Sequence, residues 1–151
     1  MSDDETLAGA SLRAAYAADY PALCAAAARC GPAVRDAVPD ASIFALRASE
    51  GSALVAVHDE AIIGYLLASP LAYDGDAPLS LWVEAVIVVP DWRRRGLATA
   101  LYVAFATAAR ALGTQALLTS PAADPALAAL LTHVGFVTHR DGVLLWRLGE
   151  E

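Results

Sequence analysis

The run "LSLWVEAVIVV", Leu79 to Val89, is nearly all apolar and rich in β-branched residues. Such a run is the pattern of a strand covered on both faces and therefore central in its sheet. The rest of the chain must supply the layers that cover it. From Leu97 to about Leu112 the string "LATALYVAFATAARAL" is helix-forming and apolar almost all round, a helix packed deeply on the sheet, with Gly113 ending it. A helix is expected in "DYPALCAAAARCGP", with Asp19 as N-cap and Gly31-Pro32 as stop, and another in "ASIFALRAS" between Asp40 and Gly51. The fourth, "ADPALAALLTHVG", has Asp124 as N-cap, Pro125 at the first helical position and Gly135 as stop.

Strands fill the remainder. "GASLRAAYAA" reads as a short first strand, "SALVAVHDEAIIGYLLAS" as two runs turning at His58-Asp59-Glu60, "QALLTS" as a later strand, and "FVTHRDGVLLWRL" as a closing hairpin on Asp141-Gly142. "DGDAP" marks a loop at residues 74–78. The order β, α, α, β, β, β, α, β, α, β, β predicts an α/β fold, a mixed central sheet of about seven strands flanked by about four helices. It occupies residues 10–151 as one domain behind an acidic tail, residues 1–9, without internal repeat.

Charge and composition exclude several classes. The tail "MSDDETLAGA" is acidic where a signal peptide would be basic, and the most apolar stretch is shorter than a membrane span, so a soluble, cytoplasmic protein with no membrane partner is expected. A net charge of −7 and a pI near 4.8 argue against nucleic acid, whose phosphates need a basic face. Cys24 and Cys30, six residues apart, match neither a CxxC pair nor a zinc knuckle and read as small buried hydrophobes. All ten basic residues are arginine, which leaves no lysine for a Schiff base. His58, His133 and His139 read as surface or loop residues, and no metal site is expected. The surplus of alanine, leucine and valine suits a well-covered sheet and an interface such as that of a homodimer.

Against that background, three arginines stand together in "VVPDWRRRGLATAL", between the central strand and the apolar helix. The first N–H groups of a helix have no internal partner and carry the positive end of its dipole, which makes an anion site of the amides near Arg95, Gly96, Leu97 and Ala98. Gly96 and the small Ala98 let a phosphate approach the backbone. Neither GxxxxGK[ST] nor GxGxxG is present.

Arg93, Gly96 and Ala98 meet the pattern [QR]-x-x-G-x-[GA], and in this strand-loop-helix setting the chain resembles the GNAT superfamily of acyl-coenzyme A dependent N-acyltransferases. The likeness extends over "LRAAYAADYPAL", "ALVAVHDEAIIGYLLAS" with Gly64, and "LLTHVGF". The resemblance implies that acetyl-coenzyme A is the co-substrate, its diphosphate on the amides of Arg94, Arg95, Gly96, Leu97, Ala98 and Thr99, with Arg93 bracing the loop or the phosphates. Arg94 and Arg95 either meet the 3′-phosphate or face water. It also implies that the pantetheine arm pairs like an added strand with Val86, Ile87 and Val88. An N–H there would polarise the thioester carbonyl. The activity implied is transfer of an acetyl or short acyl group to a primary amine of a small molecule or peptide, by direct attack in a ternary complex. The alternatives are a non-catalytic acyl-coenzyme A sensor or scaffold module and a different phosphate-binding α/β domain.

Glu84 is the only ionisable side chain in the run from Leu79 to Val89. Alternation places it on the face of Val86 and Val88, partly desolvated and suited to act as general base; the other reading is a wet or arginine-paired carboxylate. The resemblance implies a tyrosine general acid where this chain has Leu131, which leaves water, Ser120, Thr119, Tyr102 or no donor at all. The family's pantetheine-touching asparagine has Asp124 as its counterpart, a residue that its N-cap role also explains. Trp82, Tyr73 and Tyr65 are candidates for an acceptor pocket or for sheet packing.

Overall fold

A computed structural model of the chain describes residues 9–71, 80–139 and 142–149. The apolar run becomes the fourth of seven strands, and the seven form one mixed sheet in the order β1-β2-β3-β4-β5-β7-β6. These are β1 (Ser11–Ala14), β2 (Ala53–His58), β3 (Ala61–Leu71), β4 (Ser80–Val88), β5 (Ala116–Thr119), β6 (Val137–Thr138) and β7 (Leu144–Arg147). The first four are antiparallel neighbours, β5 runs parallel to β4, and β7 and β6 return antiparallel. The helices are α1 (Tyr20–Arg29), α2 (Pro32–Ala37), α3 (Ala41–Ser49), α4 (Leu97–Ala111) and α5 (Pro125–Val134), with short 3-10 turns at Ala17–Asp19 and Pro90–Trp92.

Two expectations are corrected. Gly31-Pro32 does not simply stop a helix: Pro32 opens α2, at the position where a missing N–H and a fixed φ cost least. Asp19 precedes α1 but does not cap it. Its carboxylate closes the preceding 3-10 turn by accepting from the Tyr16 N–H at 2.7 Å, and it holds the Arg13 guanidinium in two bonds of 2.8 and 2.9 Å. Asp40 and Asp124 do cap, accepting from the N–H of Ile43 and of Ala126. The β2–β3 turn uses Asp59 and Glu60, both at positive φ (49° and 66°), which matches the twist of the strands it joins. The "DGDAP" loop and Asp141 lie outside the described residues.

Both faces of the sheet are covered. Helix α4 packs on β2, β3 and β4 and against α5, and α1 packs on β3 from the other side. Gly64 shows how tight the first of these layers is. A Cβ there would come within 3.1 Å of Leu97 Cδ2 and of the Ile87 carbonyl oxygen, and 3.4 Å of Leu101 Cδ1. Tyr65, one residue on, faces the other way and is buried beside Cys24 and Cys30. Leu23, Phe44, Val55, Leu66, Leu101 and Leu117 are fully buried in a core continuous through the sheet.

Candidate functional site

Strand β4 leads straight into the arginine-rich loop, and the sequence of that loop fixes its shape. Pro90 begins a 3-10 turn, Arg93 is extended, and Arg94 and Gly96 both take positive φ, 65° and 84°, before α4 starts at Leu97. Glycine adopts this conformation freely, whereas a residue with a Cβ is strained in it. Arg93 donates from Nε to the Val88 carbonyl at 2.9 Å, so it ties the loop back to the end of β4. Arg95 stacks over the Trp92 ring at 4.7 Å, and the other ring neighbour of Trp92 is His58, at 5.0 Å. Among the described residues no side chain caps α4. Its first-turn N–H groups therefore border a cavity of about 390 Å³ lined by Arg93, Arg94, Gly96, Leu97, Ala98 and Thr99, with Val88, Trp92 and Leu130 as its other walls.

A second opening is made by the divergence of two strands. Among the described residues, strands β4 and β5 pair from Ser80 to Trp82 against Ala116 to Leu118. Beyond that point the Thr119 hydroxyl donates to the Val83 carbonyl at 3.1 Å, and β4 continues without a partner on that side. The half-buried state of Ala85 to Val88 follows, although the sequence reads as a strand covered throughout. Along β4 the backbone alternates. The Val89 N–H donates to Ile63 at 2.9 Å and the Ile87 carbonyl lies against Gly64, so both face β3. Val86 and Val88 accordingly turn their N–H and C=O groups into the gap. The Val88 carbonyl is engaged by Arg93 and, at 3.7 Å, by the Cys30 thiol, which leaves the Val88 N–H and both backbone groups of Val86 to meet a ligand lying along the gap. Ile87 offers it only a side chain.

Glu84 is not desolvated, and this is the main correction at the site. The β3–β4 register slips between Leu67 and Ala68, which face Ala85 and Val83, so Glu84 is an extra residue with no opposite number. A bulge of this kind breaks alternation and re-aims a side chain. The carboxylate is exposed, on the wall of a cavity of about 300 Å³ between the splayed strands. Val86, Ile87, Tyr102, Thr119, Ser120 and Leu131 share that cavity. Leu131 is buried there, so the position that would carry the tyrosine contributes only hydrocarbon.

The remaining candidates separate. Asp124 is exposed and caps α5, and it lines neither cavity. Tyr65 is core, Trp82 packs on the small cluster of Ala116, Leu118 and Leu145, and Tyr73 lies outside the described residues. His133 is exposed on α5, His139 follows β6, and His58 holds the Gly9 carbonyl at 3.0 Å and Asp59 at 3.2 Å. Among the described residues no group of three metal-ligating side chains comes together, and no helix is long and apolar enough to cross a membrane. Sequence reasoning missed the bulge, Trp92 as a wall that also holds Arg95, and the clamp of Thr119 on Val83. Only Trp92 had a readable signal, an aromatic beside three arginines.

The sequence model of the Acetyltransferase (GNAT) family matches residues 11–136. No curated protein matches the chain in sequence. Among solved structures it is similar to the GNAT family N-acetyltransferase YhbS of Escherichia coli in complex with CoA, at 23% identity and a TM-score of 0.72 over 93% of this chain and 82% of that one. It is also similar to the ribosomal-protein-S18-alanine N-acetyltransferase of Escherichia coli (16%, TM-score 0.72, 94% and 96% covered). A third is yncA of Salmonella typhimurium, a putative acetyltransferase with acetyl-CoA (18%, TM-score 0.71, 95% and 96% covered). At these identities the likeness is one of fold. The family match spans most of the chain and includes the strand, loop and helix that build the first cavity, so this chain belongs to the GNAT acetyltransferase family.

Proposed function

We propose that the chain is an N-acyltransferase that moves an acetyl or other short acyl group from acyl-coenzyme A to a primary amine of a small molecule or peptide, in a ternary complex. The observation that carries this reading is that two cavities stand at successive positions along the chain, one walled by Glu84, Val86 and Ile87 of β4 and the next by Val88 and the loop into α4. The uncapped start of α4 suits a diphosphate, and the gap beyond it offers the free backbone groups of Val86 and Val88 to an extended arm. Coenzyme A would supply the activated thioester. Similar folds with CoA or acetyl-CoA bound support this choice of co-substrate.

The residues then divide the work. Amides of Leu97, Ala98 and Thr99 hold phosphate oxygens in charge-assisted bonds, each contributing roughly 1.5 to 3 kcal/mol. Arg93 keeps the loop tied to β4, and Arg94 adds positive charge at the cavity wall. An N–H of Val86 or Val88 faces the carbonyl oxygen as negative charge develops on it. Glu84, exposed on the bulge, accepts the proton that the attacking amine must lose, directly or through water.

Incubation with acetyl-coenzyme A and a panel of amines, with thiol release followed by a chromogenic reagent, tests the reading. Glu84→Gln is expected to lower kcat by about a hundredfold or more while coenzyme A affinity stays within about twofold. Unchanged turnover in that variant would remove Glu84 from the reaction. Leu131 favours a second reading, a module that binds acyl-coenzyme A without turning it over. A firm thermal shift with coenzyme A and no thiol release from any amine would decide for that module.

A further inference from the structure

The second cavity contains a hydroxyl that this scheme leaves idle. Tyr102 stands on α4 one turn into the apolar helix, its ring packed edge-on against Phe136 at 5.7 Å and only 4% exposed. It lines the same cavity as Glu84, Val86 and Leu131. Among the described residues nothing is hydrogen-bonded to its hydroxyl, yet Arg47 Nε is the buried side-chain polar atom left both sealed and unpartnered. The small exposure that Tyr102 keeps therefore includes its oxygen, and the residue lines the cavity. A phenol held by packing against Phe136, with its donor unspent, is set to meet a ligand group that accepts a hydrogen bond.

Within the reading just proposed, we infer that the Tyr102 hydroxyl donates a hydrogen bond to the sulfur of coenzyme A and stabilises it as a leaving thiolate, the task for which Leu131 has no atom. The amine nitrogen adds to the thioester carbonyl carbon and the C–S bond breaks with its electron pair on sulfur. The proton lost by nitrogen passes to Glu84 and on to solvent. Tyr102 keeps its own proton throughout. Burial alone pushes its phenol up to about 12, above an ordinary thiol near 8.5, so it is the weaker acid and stabilises the thiolate without protonating it.

The test uses coenzyme A and desulfo-coenzyme A, which lacks the sulfur, on wild type and Tyr102→Phe, with binding measured from about pH 6.5 to 9.5. In the wild type the preference for coenzyme A over desulfo-coenzyme A should rise roughly tenfold as the thiol ionises, because hydrogen bonds to charged groups are the stronger ones. In Tyr102→Phe that rise should disappear while desulfo-coenzyme A binds as before. With an accepted amine, kcat should fall in the variant without a matching change in KM for acetyl-coenzyme A. A preference that stays flat with pH in the wild type, or that rises equally in both proteins, would overturn the role of Tyr102 and leave the function standing. A wild type that binds neither compound would overturn both.

Discussion

At the scale of single residues, the arginine triplet resolves into three different jobs. Arg93 is structural, bonded to the Val88 carbonyl; Arg94 takes positive φ on the cavity wall; Arg95 is laid over Trp92 and absent from that wall. Gly96 matters more than any of them. Its φ of 84° would cost a substituted residue roughly 1 to 2 kcal/mol, and a branched side chain there would stand between a phosphate and the first-turn amides. Gly96→Val should therefore weaken coenzyme A binding by about a hundredfold or more, the loss of one or two charge-assisted bonds. Arg94→Ala should weaken it by only about three- to tenfold, and by less as salt is raised, because an exposed charge is screened. Titration calorimetry at two salt concentrations, with a thermal melt to confirm that both variants fold, separates the two effects. Equal losses in the two variants would mean that the side-chain charges, and not the amides, hold the anion.

At the scale of elements, the sequence was legible wherever a local rule acts alone. Asp124-Pro125 and Asp40 announced their helices by capping chemistry, and the Val-rich β4 announced its central place by composition. What escaped depends on partners remote in sequence. Glu84 is exposed because β3 and β4 differ by one residue across the bulge, and β5 leaves β4 after three pairs, so an apolar strand ends as an open wall. Asp19 was misread for a different reason, a nearby competitor: its carboxylate is taken by the turn before α1 and by Arg13 on β1. That linkage carries a pH signature. The bond from Arg13 lowers the folded-state pKa of Asp19 below its ordinary value of 3.8, so the stabilisation is full above that value and is lost as the pH falls through the lowered pKa. With Arg13 about a third exposed, the link should contribute about 1 kcal/mol at neutral pH. Asp19→Asn should lose that amount at pH 7 in urea denaturation, and the gap to wild type should narrow below about pH 3.5. A gap that widened in acid would contradict the pairing.

For the whole molecule, the arrangement predicts that stability and ligand binding are separable although they share α4. Leu101 lies at the centre of the core, fully buried against Gly64, whereas the cavity proposed to take the diphosphate touches only the first turn of the same helix. Truncation of a buried leucine typically costs about 2 to 5 kcal/mol. In a domain of this size each kcal/mol moves Tm by about 2 to 4 °C, so Leu101→Ala should melt about 4 to 20 °C below wild type. Coenzyme A at a hundred times its Kd should add about 2.7 kcal/mol to any folded variant that binds it, a rise of about 5 to 11 °C. Leu101→Ala should keep that rise nearly in full, because the end of β4 and the loop are anchored by Arg93 on Val88 and by the Val89 N–H on Ile63, not by Leu101. Gly96→Val should do the reverse, melting only about 2 to 8 °C below wild type while losing the rise. Differential scanning fluorimetry of the three proteins over a series of coenzyme A concentrations reads both quantities at once. If Leu101→Ala lost the rise along with its stability, the anion site would depend on the packing of the whole helix, and the division between a rigid core and an independently built loop would be wrong.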